Sequence, residues 1–386
     1  MSADQVRIEP VQSRSELKDV VMFPFWLYRE LKDPYWVPPI ISERMQHYDS
    51  HHNPFFEHAE MQIFRAVRGG RTVGTIAAID DEVHRKVWKE PVGSFGLFVC
   101  IDDQVVASAL FSAARGWLAE RGREVMRGPM NLNVNDECAL LIQGYDGTPV
   151  IMMPYNPRYY PALLEGYGFT KAKDLYAYKI DVTEFGPNME NFPQRVKRVA
   201  RVARVAQERY GVTLRHIDLN RLDEEVDLIK PVHRQAWNKN WGALPMTDAE
   251  YLYLANSLKQ VADPDLTYLA FVDGEPVGVF LTIPDYCQVA YHMNGRLFPV
   301  GWAKYLWYRR KITGIRVLIM GVLEEYQLKG VDALFYQEGF RVAMRKGYQW
   351  GEMSWILEDN YKVIRGIESM GGKHYRTYRI YDIATR

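Results

Sequence analysis

The chain has 386 residues, more than one compact core usually holds, and its 48 Lys plus Arg balance 48 Asp plus Glu to a formal net charge of zero. That balance speaks against a nucleic-acid partner. The three scattered cysteines (Cys100, Cys138, Cys287) speak against a disulfide framework, and the lack of an N-terminal apolar segment or a run of about 18 apolar residues speaks against secretion and membrane spanning.

Taken in order, Val6 to Val11 reads as a strand and Arg14 to Leu31 as an amphipathic helix that ends at Asp33-Pro34. A histidine-rich stretch follows, with His47, His51, His52 and His58 among Asp49 and Glu57. No His pair sits on a clear helix with a third ligand, so these read as loop histidines and no metal is expected. Met61 to Val67 and Thr72 to Ile79 form a hairpin around Arg68-Gly69-Gly70-Arg71. Phe95 to Ile101 is a further strand, and Val105 to Arg121 a helix closed by Gly122. The turn between them, Ile101-Asp102-Asp103-Gln104, carries two carboxylates and disfavours an anionic ligand. The Asn-rich stretch Asn131, Asn133, Asn135, Asp136, Glu137 is open to two readings: turn chemistry, or a polar grip on an amine or hydroxyl. Leu175 to Ile180 is a strand, and Phe185 to Pro193 a connector.

Arg195 to Tyr210 sets an apolar stripe (Val196, Val199, Ala203, Ala206) among cations that include Lys197, Arg198, Arg201 and Arg204. A solvated helix face and attraction to an anionic membrane surface or to phosphates are both open. From Gly211 a second series runs: strand Val212 to Ile217, helix Glu224 to Trp237, loop Asn238 to Gly242, and helix Ala249 to Val261, which Thr247 and Glu250 cap. A hairpin then turns at Asp273-Gly274. Phe298 to Lys311 is aromatic and basic, and reads as a core helix, a lid or a surface that meets lipid. Strand Arg316 to Val322, a turn, helix Val331 to Lys346, strand Glu352 to Leu357 and strand His374 to Ile383 complete the chain. The halves echo one another. Asn156 precedes Gly168-Phe169 as Asn360 precedes Gly371, and Ala109-Leu110-Phe111 parallels Ala333-Leu334-Phe335, so two related units are expected.

Between Ile319 and Asp332 a strand ends in a turn whose Gly330 opens a helix, an arrangement that aims backbone N–H groups at one point and suits a diphosphate. With Val322, Glu325, Gln327 and Gly330 in register, and with Asn360 opening the later signature, this half resembles the GNAT superfamily of acyl-CoA-dependent N-acyltransferases. The departures are Asp332 for a small residue, Ile367 for the usual Tyr, and Gly372 for Phe. The segments WVPP, NPFFEHAE, GPMNLNVNDECALLIQGYD, MMPYNPRYY, NWGALPM and SWILEDN resemble the bacterial ceramide synthase-like family of double-GNAT proteins.

The resemblance implies a mixed α/β fold of two tandem units, each a mostly antiparallel sheet flanked by helices. Residues 1–185 form a unit without the diphosphate loop, 186–210 a basic linker helix, and 211–386 the acyl-CoA-binding unit. It also implies transfer of an acyl group, fatty acyl in that family, from a CoA or carrier-protein thioester to an amine of sphingoid type, with contact to the inner membrane. Val322, Gln327, Lys329, Gly330, Val331 and Asn360 would hold acyl-CoA, the one co-substrate expected, and Trp237, Asn240, Trp241, Asn135, Asn156 and Tyr160 the acceptor. Acyl transfer needs a neutral amine, a donor to the oxyanion and a leaving thiolate. Glu358, Glu352, Glu325 and Glu137 are candidate bases, and Tyr361 or Tyr326 could replace the absent Tyr acid. The alternative is a non-catalytic double-GNAT protein that binds a ligand or partner.

Overall fold

Each half of the chain is built on an antiparallel meander whose turns are written in the sequence. In the computed structural model, which describes residues 5–185 and 194–386, β1 (Arg7–Pro10), α1 (Arg14–Leu31) and the short α2 (Ile41–His47) precede β2 (Ala59–Arg68) and β3 (Arg71–Asp81). Gly69 and Gly70 both take positive φ in the hairpin turn, a conformation that costs glycine nothing. Then come α3 (Glu82–Trp88), β4 (Val92–Cys100), α4 (Gln104–Glu120), β5 (Val125–Gly128), β6 (Leu140–Gln143), α5 (Tyr160–Tyr167) and β7 (Thr170–Asp181). The second half has α6 (Gln194–Tyr210), β8 (Thr213–His216), α7 (Leu222–Trp237), α8 (Asp248–Lys259), β9 (Thr267–Val272) and β10 (Glu275–Pro284). It continues through α9 (Cys287–Met293), α10 (Gly301–Tyr308), β11 (Gly314–Val322), α11 (Val331–Arg345), β12 (Trp350–Leu357), α12 (Tyr361–Ser369) and β13 (Lys373–Ala384). The capping box of α8 is present in both its bonds. The α2 and α3 segments, assigned no element from sequence, are one-to-two-turn helices too short and polar to show periodicity.

The chain divides into two compact units. Unit one comprises residues up to Leu175 together with Val289–Leu306 and Arg376–Arg386, and unit two comprises Tyr176–Gln288 and Trp307–Tyr375. In unit one the strand order is β1-β2-β3-β4-β5-β13, with β6 also on β13. Its core joins β2, β3 and β4 to α4 and α5 through Ile76, Phe95, Leu110, Phe111, Leu164 and Tyr381. In unit two the order is β7-β12-β11-β10-β9-β8, and Tyr268, Phe280, Leu334 and Phe335 fill the core beneath α11. Of the connector Phe185–Pro193, residues 186–193 lie outside the described residues, as do the side chains of Phe185, Arg195, Val196, Lys197 and Arg198. From Val199 onward α6 lays its small face on α11, with Ala203 and Ala206 fully buried and Arg201 and Arg204 exposed.

The two units share one irregularity. In unit two β11 runs parallel to β12 through four pairs, Gly314↔Trp350 to Val317↔Met353. At that point its register with β10 slips by one residue, between Leu281 and Thr282. In unit one β4 runs parallel to β5 through Val92↔Val125 to Ser94↔Arg127, and its register with β3 slips between Thr75 and Ala77. A bulge inserts an unpaired residue and bends its strand, which is how a sheet parts two neighbours.

Candidate functional site

Past Val317 and Met353 no further pairs join β11 to β12, so the two strands part and leave backbone N–H and C=O groups along both inner edges. The open end of this V meets the turn that feeds α11. Val322 ends β11 and is nearly buried, a 3-10 turn covers Glu324–Tyr326, and Gly330 forms the N-cap of α11 with φ of 81°. Gly330 is required twice over. Its φ is unfavourable for any other residue, and a Cβ there would lie 2.8 Å from Val202 Cγ1 and 3.0 Å from the Val202 carbonyl of α6. The first turn of α11 carries the positive end of the helix dipole, and the N–H groups of Asp332 and Ala333 bond the Asp332 carboxylate there.

The loop is braced from three sides. Gln327 donates through Nε2 to the Val322 carbonyl at 3.4 Å and accepts through Oε1 from Lys362 of α12 at 3.3 Å. Lys329 rests its ammonium 4.0 Å from the Tyr326 ring centre. Lys239, in the loop after α7, pairs with Glu324 at 2.6 Å. Asp332 stands in the first turn of α11. Burial raises its carboxyl above the ordinary range, opposed by the N–H groups of Ala333 and Asp332 and by the Lys362 ammonium. Asn360 caps α12, its side-chain oxygen accepting from Val363 N at 3.4 Å, and Tyr361 follows at 64% exposure.

On the other side of β11, Trp237 lies so close to Gly321 that a Cβ there would stand 2.2 Å from the indole. His233 stacks on Trp237 at 4.7 Å and shares a 2.8 Å hydrogen bond with Tyr251, and burial lowers its pKa to about 4. Trp237, Asn240 and Val322 thus come to one end of one strand: Asn240 N donates to the Trp237 carbonyl at 2.9 Å, and Trp241 follows in the same half-buried loop. His233 is a residue that sequence reading passes over. Its signal was four-residue spacing from Trp237 on an otherwise ordinary helix.

At the closed end of the V lies a buried polar cluster. Arg316 and Glu352 are in parallel register and 3.9 Å apart, and both are almost wholly buried. Ser354 accepts from Arg316 Nε at 3.1 Å and donates to Glu352 Oε1 at 2.6 Å, while the Tyr375 hydroxyl donates to Glu352 Oε2. Both carboxylate oxygens of Glu352 are therefore engaged inside the protein. Glu358, directly after β12, is half-buried at the open end.

The other candidates lie in unit one. Glu137 is bonded to Arg44 and accepts from Asn131 at 3.2 Å. Burial pushes its carboxyl up, and the Arg44 guanidinium more than reverses this, holding it below the ordinary range. Asn156 is buried, its Oδ1 accepting from Leu141 N at 2.7 Å and its Nδ2 donating to the Leu141 and Pro157 carbonyls. Tyr160 is a core ring whose hydroxyl accepts from Cys100 N at 2.8 Å, and Asn135 sits in a turn held by Asn133. These groups build the unit's interior and turns. The counterpart of the V is also filled there: Met130 N donates to the Phe95 carbonyl at 2.7 Å, Leu97 N to Asn131 Oδ1 at 2.9 Å, and a Cβ on Gly96 would overlap Met130 O at 1.8 Å. Among the described residues no three His, Cys, Asp or Glu side chains form a metal-ligand group, and no helix is long and apolar enough to cross a membrane.

No family model matches the chain. Among curated proteins it is 39% identical over 383 residues to the bacterial ceramide synthase of Caulobacter vibrioides (strain NA1000 / CB15N), covering 97% of this chain and 96% of that one. It is 35% identical over 379 residues to protein YghO of Escherichia coli (strain K12), covering 96% and 93%. Among solved structures it resembles a tandem GNAT protein from the clavulanic acid biosynthesis pathway, at TM-score 0.59 and 12% identity over 99% of each chain. A GCN5-related N-acetyltransferase from Sphaerobacter thermophilus gives TM-score 0.53 and 15% identity over 98% and 96%. These two likenesses establish the fold, tandem GNAT units of mixed α/β type.

Proposed function

The chain belongs to the family of the bacterial ceramide synthase of Caulobacter vibrioides, and on that premise we propose that it is an N-acyltransferase that moves a fatty acyl group from acyl-CoA to a sphingoid-type amine. The observation that carries this reading is the parted pair β11/β12 opening onto the N-terminus of α11. The edges of the V offer alternating N–H and C=O groups to the amides of a pantetheine arm. Gly330, Val331 and the N–H groups that follow suit a diphosphate. Val322, Gln327 and Lys329 shape that loop, and Asn360 sets the start of α12 beside it.

The amine arrives protonated at neutral pH and must lose that proton before it attacks. Glu358 is the carboxylate we assign to accept it, directly or through water, because it is half-exposed at the open end of the V. Glu352 is assigned the separate task of holding Arg316 and Ser354, since its oxygens are already engaged. The nitrogen forms a bond to the carbonyl carbon, and the oxyanion takes a hydrogen bond from a backbone N–H on β11. The carbon–sulfur bond then breaks, and the second proton of the attacking nitrogen passes to the departing thiolate through Tyr361 or water, so that amide and thiol both leave neutral. Trp237, Asn240 and Trp241 border the acceptor. A lipid amine fits a cytoplasmic protein that meets the inner membrane at its surface.

The test is thiol release from a long-chain acyl-CoA and from acetyl-CoA, each with and without a long-chain amino alcohol. Release that requires the long-chain donor and the amine together is the expected result. Competence with acetyl-CoA alone would remove the fatty acyl assignment. The carboxylate of Asp332 at the helix N-terminus favours a second reading, a ligand-binding protein without turnover. No release together with no CoA binding by calorimetry would favour it.

A further inference from the structure

Between Asp285 and Glu324 the chain carries no acidic residue, and within that span it places five cations, Arg296, Lys304, Arg309, Arg310 and Lys311, in exposed positions. The same stretch exposes apolar side chains that a folded protein ordinarily covers: Phe298 at 76%, Val300 at 62%, Trp302 at 51%, Leu306 at 43% and Trp307 at 63%. Trp302 and Leu306 stand one turn apart on α10, so their side chains share a face of that helix. The helix runs into the turn Arg309–Lys311, where Lys311 lies 4.9 Å from the Trp307 ring centre.

The base of this stretch is fixed. Val289 and Met293 of α9 are buried, Ile41 N donates to the Gly295 carbonyl at 3.0 Å, and a Cβ on Gly295 would lie 2.6 Å from the Phe25 ring. Gly301 is buried, and a Cβ there would overlap Arg296 O at 1.8 Å. Tight packing at Gly295 and Gly301 therefore presents the aromatic residues outward from a held loop. This overturns the core-helix reading of Phe298 to Lys311.

We propose that residues 298–311 are a docking element for an anionic phospholipid bilayer. Tryptophan and phenylalanine favour the boundary between headgroup and acyl chain, and Lys and Arg beside them are drawn to anionic headgroups. A second copy of the chain is a poorer occupant. A symmetric contact would set cations against cations, with no acidic residue in 286–323 to answer them. The exposed face of α6 is basic too, yet its apolar members there, Val202 and Val205, are small and about two-fifths exposed. The lipid-amine reading gives this docking a purpose, but its test does not depend on turnover.

The full chain is floated with vesicles of equal phosphatidylglycerol and phosphatidylcholine, and with phosphatidylcholine alone, at low and high salt. Binding is expected to the anionic vesicles only and to weaken with salt. Arg309→Ser/Arg310→Ser/Lys311→Ser is expected to lower the partition coefficient about a hundred-fold, from roughly five-fold per cation. Phe298→Ser/Trp302→Ser/Trp307→Ser is expected to abolish flotation, while Arg201→Ser/Arg204→Ser on α6 leaves most of it. Circular dichroism and melting show that each variant is folded. Thiol release with dispersed short-chain substrates reads turnover separately, so loss of docking and failure of the acyltransfer reading remain distinguishable. Three results overturn the proposal: no flotation of the parent chain, equal flotation of all variants, or a concentration-dependent dimer that the aromatic triple variant dissolves.

Discussion

Replacing Asp332 by Asn removes the charge in the first turn of α11 that opposes a diphosphate there, while keeping side-chain size. The Asp332 carboxylate takes the N–H groups of Asp332 and Ala333, so an anion on the N–H groups of the preceding turn would lie on the order of 6 Å from it. With an effective dielectric of about 20 to 40 for a half-buried site, one charge pair at that distance repels by roughly 1.4 to 2.8 kcal/mol, or about 10- to 100-fold in affinity. Titration calorimetry should therefore show Asp332→Asn binding CoA at least ten-fold more tightly than the parent. Pantetheine, which lacks the diphosphate, should bind both proteins alike, and the gain should shrink as salt rises. The pH dependence has a definite sign. Burial raises the Asp332 pKa, so the carboxyl becomes neutral on acidification at a higher pH than an ordinary aspartate. The advantage of the variant should be greatest above that pKa and fade as pH falls through it. Affinities for CoA that agree within two-fold, or an equal gain for pantetheine, would refute the placement of the diphosphate at this loop.

Glu358→Gln should reduce kcat at least a hundred-fold while leaving CoA affinity within two-fold, and full turnover in that variant would remove Glu358 from the base role. Gly321→Ala forces the Trp237 indole away from β11, since the new Cβ would stand 2.2 Å from it. Overpacking of this kind costs about 1 to 3 kcal/mol, and a higher acceptor KM at unchanged CoA affinity is expected, whereas an unchanged KM would separate Trp237 from the acceptor. Arg316→Met leaves Glu352 buried without its cation, at a cost of about 3 to 5 kcal/mol, so urea unfolding should show unit two losing stability by that amount. A change under about 1 kcal/mol would mean that the partners left to Glu352, Ser354 and Tyr375 among them, satisfy it without Arg316.

Local chemistry made much of this molecule legible. The Gly69-Gly70 and Asp273-Gly274 turns, the Thr247/Glu250 cap and Gly330 each require a particular residue at a particular place, and the structure has them so. What the sequence conceals is pairing between distant segments. Arg316 looks like one more strand residue until β12 brings Glu352 into register with it, and the bulge in β11 leaves no mark on the alternation of apolar residues. Glu352 drew attention as a carboxylate near a strand end, but the segment that engages its second oxygen, Tyr375, belongs to the next strand. Asn156 and Tyr160 stood in a conspicuous motif for a structural reason: each spends its polar atoms on a backbone edge inside the unit. Short polar helices such as α2 are invisible to periodicity for want of length.

The membership of β13 bears on how the chain comes to be folded during its synthesis. Residues 376–386 complete unit one, pairing Tyr381 to Ala384 with β5 and Thr377 to Arg379 with β6, and burying Tyr381 in its core. Unit one therefore waits, with β5 and β6 unpaired on that side, while the roughly 200 residues after Leu175 are made. At about 5 to 20 residues per second this is some 10 to 40 s. During that interval the nascent chain offers open strand edges to chaperones and to other chains. A ribosome stalled short of Arg376 would release a protein whose first-made half is the unfinished one.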